Sequence, residues 1–450
     1  MKQHLFDLQK HQAIWRIAWP LMLSNTAVPL LGIVDTAVLG HLDSSWYIGA
    51  VAVGGNIFTF IFWAFGFLRM GTTGLSAQYF GAQDWGKSFG ILLQACTLAL
   101  TIALSILFIQ GWIFPFLIEL IGGSPEVKAA SLLYCQIRVW GAPAALLQFA
   151  LAGWMIGMQQ SKALMWVIVS VNTMNILLDV ILVVFFGMDI KGVAIATVFS
   201  EYLGLVFSIY LIARYTNRNI SEGLLKKISF TARRKFLQVN SDIFIRTCLL
   251  LFVFAFFTAQ GARQGDDVLA ANAILISFLL LIANALDGFA NAAETKAGEN
   301  TGQFNRRPYG ELIVDFHGNN LVAGFWSAIF SIVLFFGFLL LGPLFIDTLT
   351  SLSAVSVIAK EYLIWLIFMP LLTFLSFLLD GVFIGKTKTK EMRNVMIVCL
   401  FFVFIPVWYF SQGFGNHGLW LSLSVFMLVR SILMSQRYIS ISRSAEWFLK

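Results

Sequence analysis

Twelve apolar runs, each long enough to cross a bilayer, follow one another along this sequence. A helix rises about 1.5 Å per residue, so roughly 20 apolar residues span the hydrocarbon core. The runs cover 14–40, 47–72, 89–114, 130–158, 164–186, 192–213, 236–260, 268–292, 312–341, 355–384, 394–411 and 417–436. Those near 30 residues are expected to tilt or to project beyond the bilayer. Hydrophobic residues make up 59% of the 450 and charged residues 12%. An average soluble domain carries about 25% charge, and a soluble fold could not hide so much apolar surface. Composition therefore excludes a soluble enzyme, a nucleic-acid module and a disordered chain. What remains is an all-α polytopic membrane protein. The first apolar run is too long for a cleavable signal peptide, so none is expected.

The basic residues orient the helices. With the N-terminus in the cytoplasm, the inner segments hold 22 of the 30 Lys and Arg, and the outer loops hold four (Lys128, Lys191, Arg263, Lys360). This asymmetry fits twelve helices with both termini inside, as in a bacterial inner membrane. It also explains the formal charge of +7 without nucleic acid. The longest polar connection, 214–235, carries Arg214, Arg218, Lys226, Lys227, Arg233, Arg234 and Lys235. It reads as a linker between six-helix lobes at 1–213 and 236–450. A second polar stretch covers 294–311. The four cysteines (Cys96, Cys135, Cys248, Cys399) lie in apolar runs without metal-ligand spacing and read as core residues.

The two halves resemble each other. At an offset of 228, Tyr134 matches Tyr362, Gly153 matches Gly381, Gly157 matches Gly385, Lys162 matches Lys390, and Phe186-Gly187 matches Phe414-Gly415. Pro143 and Pro370 miss by one position. At an offset of 217, Asn25 meets Asp242, Gly71 meets Gly288 and Gly81 meets Gly298. Six spans per half is an even number, so both halves share one orientation. Such repeats suit alternating access around a central cavity.

Polar residues inside the spans are the functional candidates, because a carboxylate at a helix centre costs about 2.5–3.5 kcal/mol on insertion scales. Asp35, late in the first span, reads as a proton or cation site, or as a helix-end acid reaching water. Pro20 and Pro29 share its helix and invite a kink. Asn172, Asn175 and Asp179 recur at i, i+3 and i+7 and so share one helix face, either as a site or as interhelical glue. Asp242 and Arg246 have i, i+4 spacing, which suits an ion pair. Asp287 and Asp380 lie in the eighth and tenth spans, and Asp380 reads more readily as a helix-end acid. Arg69, Arg138, Gln78, Glu201, Glu294 and Lys296 are expected near cytoplasmic helix ends, to snorkel or to gate. Trp154 and Phe149 are candidate cavity aromatics. The Gly-Asp-Asp at 265–267 reads as a polar cap.

The stretch 134–205, with its Tyr–Pro–Gly–Gly pattern and NTMNILLDVILVVFFGMDIKGVAIATVFSE, resembles the multidrug and toxic compound extrusion (MATE) family, as does LGIVDTAVLGHL near the start. Asp35 combined with NILLD resembles its DinF-like branch. The resemblance implies two pseudo-symmetric six-helix lobes forming a V-shaped central cavity. It further implies export of organic, often cationic, compounds in exchange for H⁺ or Na⁺. It places Asp35, Asn175, Asp179 and Thr197 together in the N-terminal lobe. Two nearby carboxylates can share one proton, which favours H⁺. The same four residues offer hard oxygen ligands for Na⁺. No other cofactor or metal is expected. The expected partners are small organic substrates and the lipid bilayer, and one chain holding both halves points to a monomer. A lipid or lipid-linked oligosaccharide flippase of related architecture is the alternative. An enzyme is not expected, because the five histidines are scattered and no HExxH, GxSxG or phosphate loop occurs.

Overall fold

The computed structural model describes residues 7–39, 46–219, 233–350 and 352–442, with the side chains of 26–39, 46–48, 218 and 219 outside the description. Among the described residues the chain is a succession of long helices. We number them α1 (Leu8–Leu39), α2 (Trp46–Ala64 continued by Phe67–Ala82), α3 (Trp85–Ile121), α4 (Pro125–Gly157), α5 (Ser161–Phe185) and α6 (Asp189–Asn219). The second half supplies α7 (Arg233–Ala262), α8 (Asp266–Asn305), α9 (Tyr309–Leu349), α10 (Ser353–Gly385), α11 (Thr389–Phe414) and α12 (Asn416–Ser442). Eleven of these are long and apolar enough to cross a membrane, and α1 adds a further 32 residues of helix.

Local chemistry sets the ends. The Asp84 side chain accepts from the Lys87 amide at the start of α3, and Ser124 does the same for Val127 at the start of α4, with Pro125 at the first helical position. Gly265 caps α8, and Asp266 and Asp267 fill its first turn, where acids favour the helix dipole. Gly187 (φ 63°) and Gly415 (φ 56°) turn the chain after α5 and α11 at matching places in the two halves. The helices outrun the apolar runs. The polar stretch after residue 294 continues α8 as helix, held by Lys296 to Glu299 at 2.8 Å and by Asn300 Nδ2 donating to Leu312 O at 2.8 Å.

The chain forms two compact units. One holds Leu23–Leu237, and the other holds Gln238–Lys450 together with the residues up to Met22. The division crosses α1 and α7, and it places the opening of α1 with the second half. In that unit the Trp15 ring meets Phe289, Trp326 and Phe330 edge-on, with centroids 5.1–6.3 Å apart. Lys10 Nζ reaches Asp315 Oδ1 at 3.0 Å. In the first unit Phe236, which opens α7, packs with Leu75, Ile91, Ala95 and Ala150.

Two crossings carry the repeat in three dimensions. A Cβ on Gly153 would meet the Arg69 carbonyl, and one on Gly157 would meet Thr73 O at 2.8 Å and Ala77 N at 3.0 Å. Their partners in the second half, Gly381 and Gly385, meet Ala290 O, Glu294 O and Gly298 N instead. Helices α2 and α8 thus correspond at an offset of 221, one turn away from the 217 read from glycine matches. A four-residue slip keeps nearly the same helix face, so the apolar pattern alone does not register it.

Candidate functional site

The N-terminal unit joins part of the expected cluster. Gly204 lets α6 close on Val171 of α5, and a Cβ on Gly192 would sit 2.9 Å from Val183. Between these contacts Asn175 Nδ2 donates to Thr197 Oγ1 at 3.4 Å, and Thr197 Oγ1 donates to Val193 O at 2.9 Å. Asn175 and Asp179 are 1% and 0% exposed. Asn172 Nδ2 and Asn175 Oδ1 are buried without a hydrogen-bond partner. Directly after Asp179 the helix widens into a π segment, Val180–Phe185. Such widenings recur at functional sites because they re-aim side chains. Buried acceptors and a carboxylate here can take up a proton or a small cation. The side chains of Asp35 and Pro29 lie outside the described residues. Pro20 lies within α1, which runs on as one helix and passes from one unit to the other just beyond it.

One expectation for this unit is refined and one changes. Trp154 lines a recess with Gln160, Arg214 and Tyr215, yet it is 1% exposed and donates through Nε1 to Ser88 Oγ at 3.1 Å. Arg138 and Glu201 do not lie at helix ends. They are bonded to each other at 2.9 and 2.5 Å, thirteen residues into α4 and twelve into α6. That is about 20 Å along each helix. The guanidinium also lies over Phe58 and Phe62, 5.2 and 5.4 Å from the ring centroids. Gly141 leaves room for the pair. A two-point pair with aromatic faces around it is how an arginine stays charged away from water.

In the C-terminal unit, Asp242 and Arg246 do not pair with each other. Asp242 accepts from Thr389 Oγ1 at 3.0 Å and from Arg393 Nη1 at 2.6 Å. Arg246 instead donates to Asp380 Oδ2, and Arg430 of α12 donates to the same oxygen. Asp380 is therefore no helix-end acid, but the hub of a buried Arg–Asp–Arg group drawn from α7, α10 and α12. The i, i+4 spacing allowed one pairing; the carboxylates' neighbours on other helices decided another. Arg430, Arg393 and Thr389 were not singled out from the sequence. The available signal was arginine within a span, which demands a counter-ion. The cysteines divide as well. Cys135 and Cys399 are buried, Cys96 is half-buried and Cys248 is exposed on α7, where an apolar neighbour such as lipid suits a thiol.

A model of the MatE family matches residues 20–181 and again 243–410, once in each half. DNA damage-inducible protein F of Escherichia coli (strain K12) is 38% identical over 449 residues, covering 98% of this chain and 95% of that protein. Protein DETOXIFICATION 44, chloroplastic, of Arabidopsis thaliana is 26% identical over 93% of this chain and 80% of its own length. Among solved structures, a MATE transporter of Vibrio cholerae shares the fold with a TM-score of 0.83 at 17% identity, covering 98% of this chain and 99% of that one. A MOP superfamily transporter from Pyrococcus furiosus gives the same score at 18% identity over 97% of each chain. Matched in both halves and related along nearly its whole length to a bacterial member, this multi-pass membrane chain belongs to the MatE family, the multidrug and toxic compound extrusion transporters.

Proposed function

We propose that the protein is a secondary antiporter that exports small organic compounds by alternating access, in exchange for inward-moving H⁺. The supporting observation is the buried polar group on α5 and α6, where Asp179 and Asn175 lie almost fully out of solvent and Asn175 bonds Thr197. A carboxylate in such surroundings binds a proton near neutral pH when a second acid shares it, and Asp35 on α1 is that second acid in this reading. Protonation removes the cost of a buried anion and lets the helices repack around a neutral site. Na⁺ held by Asp35, Asn175, Asp179 and Thr197 is the other coupling the same groups allow. We place the protein in the inner membrane with both termini in the cytoplasm, acting as a monomer with residues 1–213 and 236–450 as its lobes.

The test is efflux of a fluorescent organic cation by inverted membrane vesicles, with a proton or a sodium gradient imposed separately. Efflux is expected under the proton gradient. It should fall to background in Asp35→Asn and in Asp179→Asn at normal expression. Retained exchange in the double variant would overturn the site, and efflux driven only by sodium would overturn the proton.

A further inference from the structure

The sixth helix of each half carries an arginine followed by a tyrosine near its end, Arg214-Tyr215 on α6 and Arg437-Tyr438 on α12. In each half the arginine lines a recess against the fifth helix, of about 240 Å³ in the first half and 300 Å³ in the second. The two arginines differ in what balances them. Arg437 Nε lies 3.5 Å from Glu391 Oε2 of α11. The offset of 228 that matches Lys162 with Lys390 puts Ala163 at the position of Glu391. Ala163 lines the first recess together with Gln160, Arg214 and Tyr215, and no acidic side chain lines it. Arg214 makes no ion pair among the described residues. A methyl group thus stands where the other half carries the counter-ion. The charge of Arg214 is answered only by what enters from outside, and a guanidinium fork matches a phosphate or carboxylate.

The surroundings select the kind of anion. Trp154 and Tyr215 meet edge-on in the recess, with centroids 6.1 Å apart. Val206, Tyr210 and Arg214 stand four residues apart, so one ridge of α6 joins the arginine to two exposed apolar side chains. Trp166, one turn beyond Ala163 on α5, is exposed as well. An acyl chain can cover such a ridge, and an anion free in water cannot. Exposed tryptophan and tyrosine are also the side chains that favour the headgroup level of a bilayer.

We propose that the recess of α4, α5 and α6 binds the phosphodiester headgroup of an anionic phospholipid. Arg214 forks the phosphate, Gln160 brings a neutral amide beside it, and the ridge of Tyr210 and Val206 lies under an acyl chain. In the orientation proposed above this lipid belongs to the inner leaflet. Only the choice of leaflet rests on that orientation, and the binding is independent of the coupling ion. Glu391 already occupies the matching arginine of the second half, so each chain holds one lipid in this way.

Native mass spectrometry of the full chain in detergent tests the site, with phosphatidylglycerol, phosphatidylcholine or inorganic phosphate added. One saturable phosphatidylglycerol is expected, preferred over phosphatidylcholine by roughly tenfold. Arg214→Gln should abolish that preference at an unchanged thermal midpoint. Ala163→Glu should abolish it too, by giving Arg214 the carboxylate that Arg437 has. Ala163→Gln, equal in size but uncharged, should keep most of it. Equal losses in the two Ala163 variants would mean simple filling of the recess and would overturn the proposal. So would equal binding of the two lipids by the wild type, or a preference that survives Arg214→Gln. Displacement of phosphatidylglycerol by inorganic phosphate at equal concentration would make this a site for a free anion, and the lipid assignment would fall.

Discussion

Lys386 shows how one side chain can hold a fold under tension. It follows α10, is 3% exposed, and its ammonium lies 4.4 Å from the Phe316 ring centroid. Burial, with Lys388 nearby, pushes its pKa down from the ordinary 10.5 to about 7, even though the aromatic face favours the charge. Between those two values the unfolded chain binds more protons than the folded one, so stability rises with pH across this window. Lys386→Met removes the dependence. Its thermal midpoint at pH 7 should exceed that of the wild type by roughly 2–4 °C, and the gap should narrow towards pH 10. A gap that stays constant with pH would contradict a buried, titrating amine. The shared face of Asn172, Asn175 and Asp179 follows from their helical spacing, and Thr197 entered through the family resemblance; the bond between Asn175 and Thr197 joins α5 to α6. The partners of Asp242 and Arg246 were not legible beforehand. Spacing within one helix says which groups could meet, and only packing between helices says which do.

At the scale of elements, the paired glycines of α4 and α10 decide how closely each crosses its neighbour. A methyl on Gly381 would collide with the backbone carbonyl of Ala290, which cannot rotate away as a side chain would. Gly381→Ala should destabilise the protein by about 1–3 kcal/mol through overpacking. Thermal unfolding in detergent would show it, whereas Gly337→Ala, with nothing within 4 Å of the added carbon, should leave the midpoint unchanged. The π segments were invisible in the sequence, because one extra residue in a turn leaves no periodic mark in an evenly apolar run. They also fall differently in the halves. At the offset of 228 that aligns the two turn glycines, the π segment Leu400–Phe404 of α11 sits eight residues earlier in register than Val180–Phe185 of α5. Asp179 then corresponds to Val407, and Asp380 corresponds to Ala152. Matching scaffolds carry charged centres that are not copies of one another.

For the whole molecule, the informative feature is where each unit ends. The first unit begins at Leu23 and ends at Leu237, so the opening of α1 and the opening of α7 each lie in the unit of the other half. Trp15 is half-buried with its ring against α8 and α9, and Lys10 bonds Asp315 of α9. Removal of residues 1–22 should therefore loosen the second half. Hydrogen exchange followed by mass spectrometry should rise in α8 and α9, while α3 to α6 keep their protection. Equal loosening of both halves would refute this division. A gene cut within 220–232 separates residues 1–22 from the unit that holds them, and residues 233–237 from the unit that holds them.

The order of apolar runs by itself determined the class of this protein, its twelve helices and the position of most turns, all from one requirement, that backbone polar groups in hydrocarbon be satisfied within a helix. Matched glycines, a tyrosine and a lysine in the two halves gave the repeat. The tertiary structure alone decided the partners of Asp242, Arg246 and Asp380, the one-turn shift between α2 and α8, and the exchange of helix openings between the units. Those outcomes depend on side-chain geometry across helices, where a displacement of one turn changes which groups touch while leaving the hydropathy of each helix unaltered.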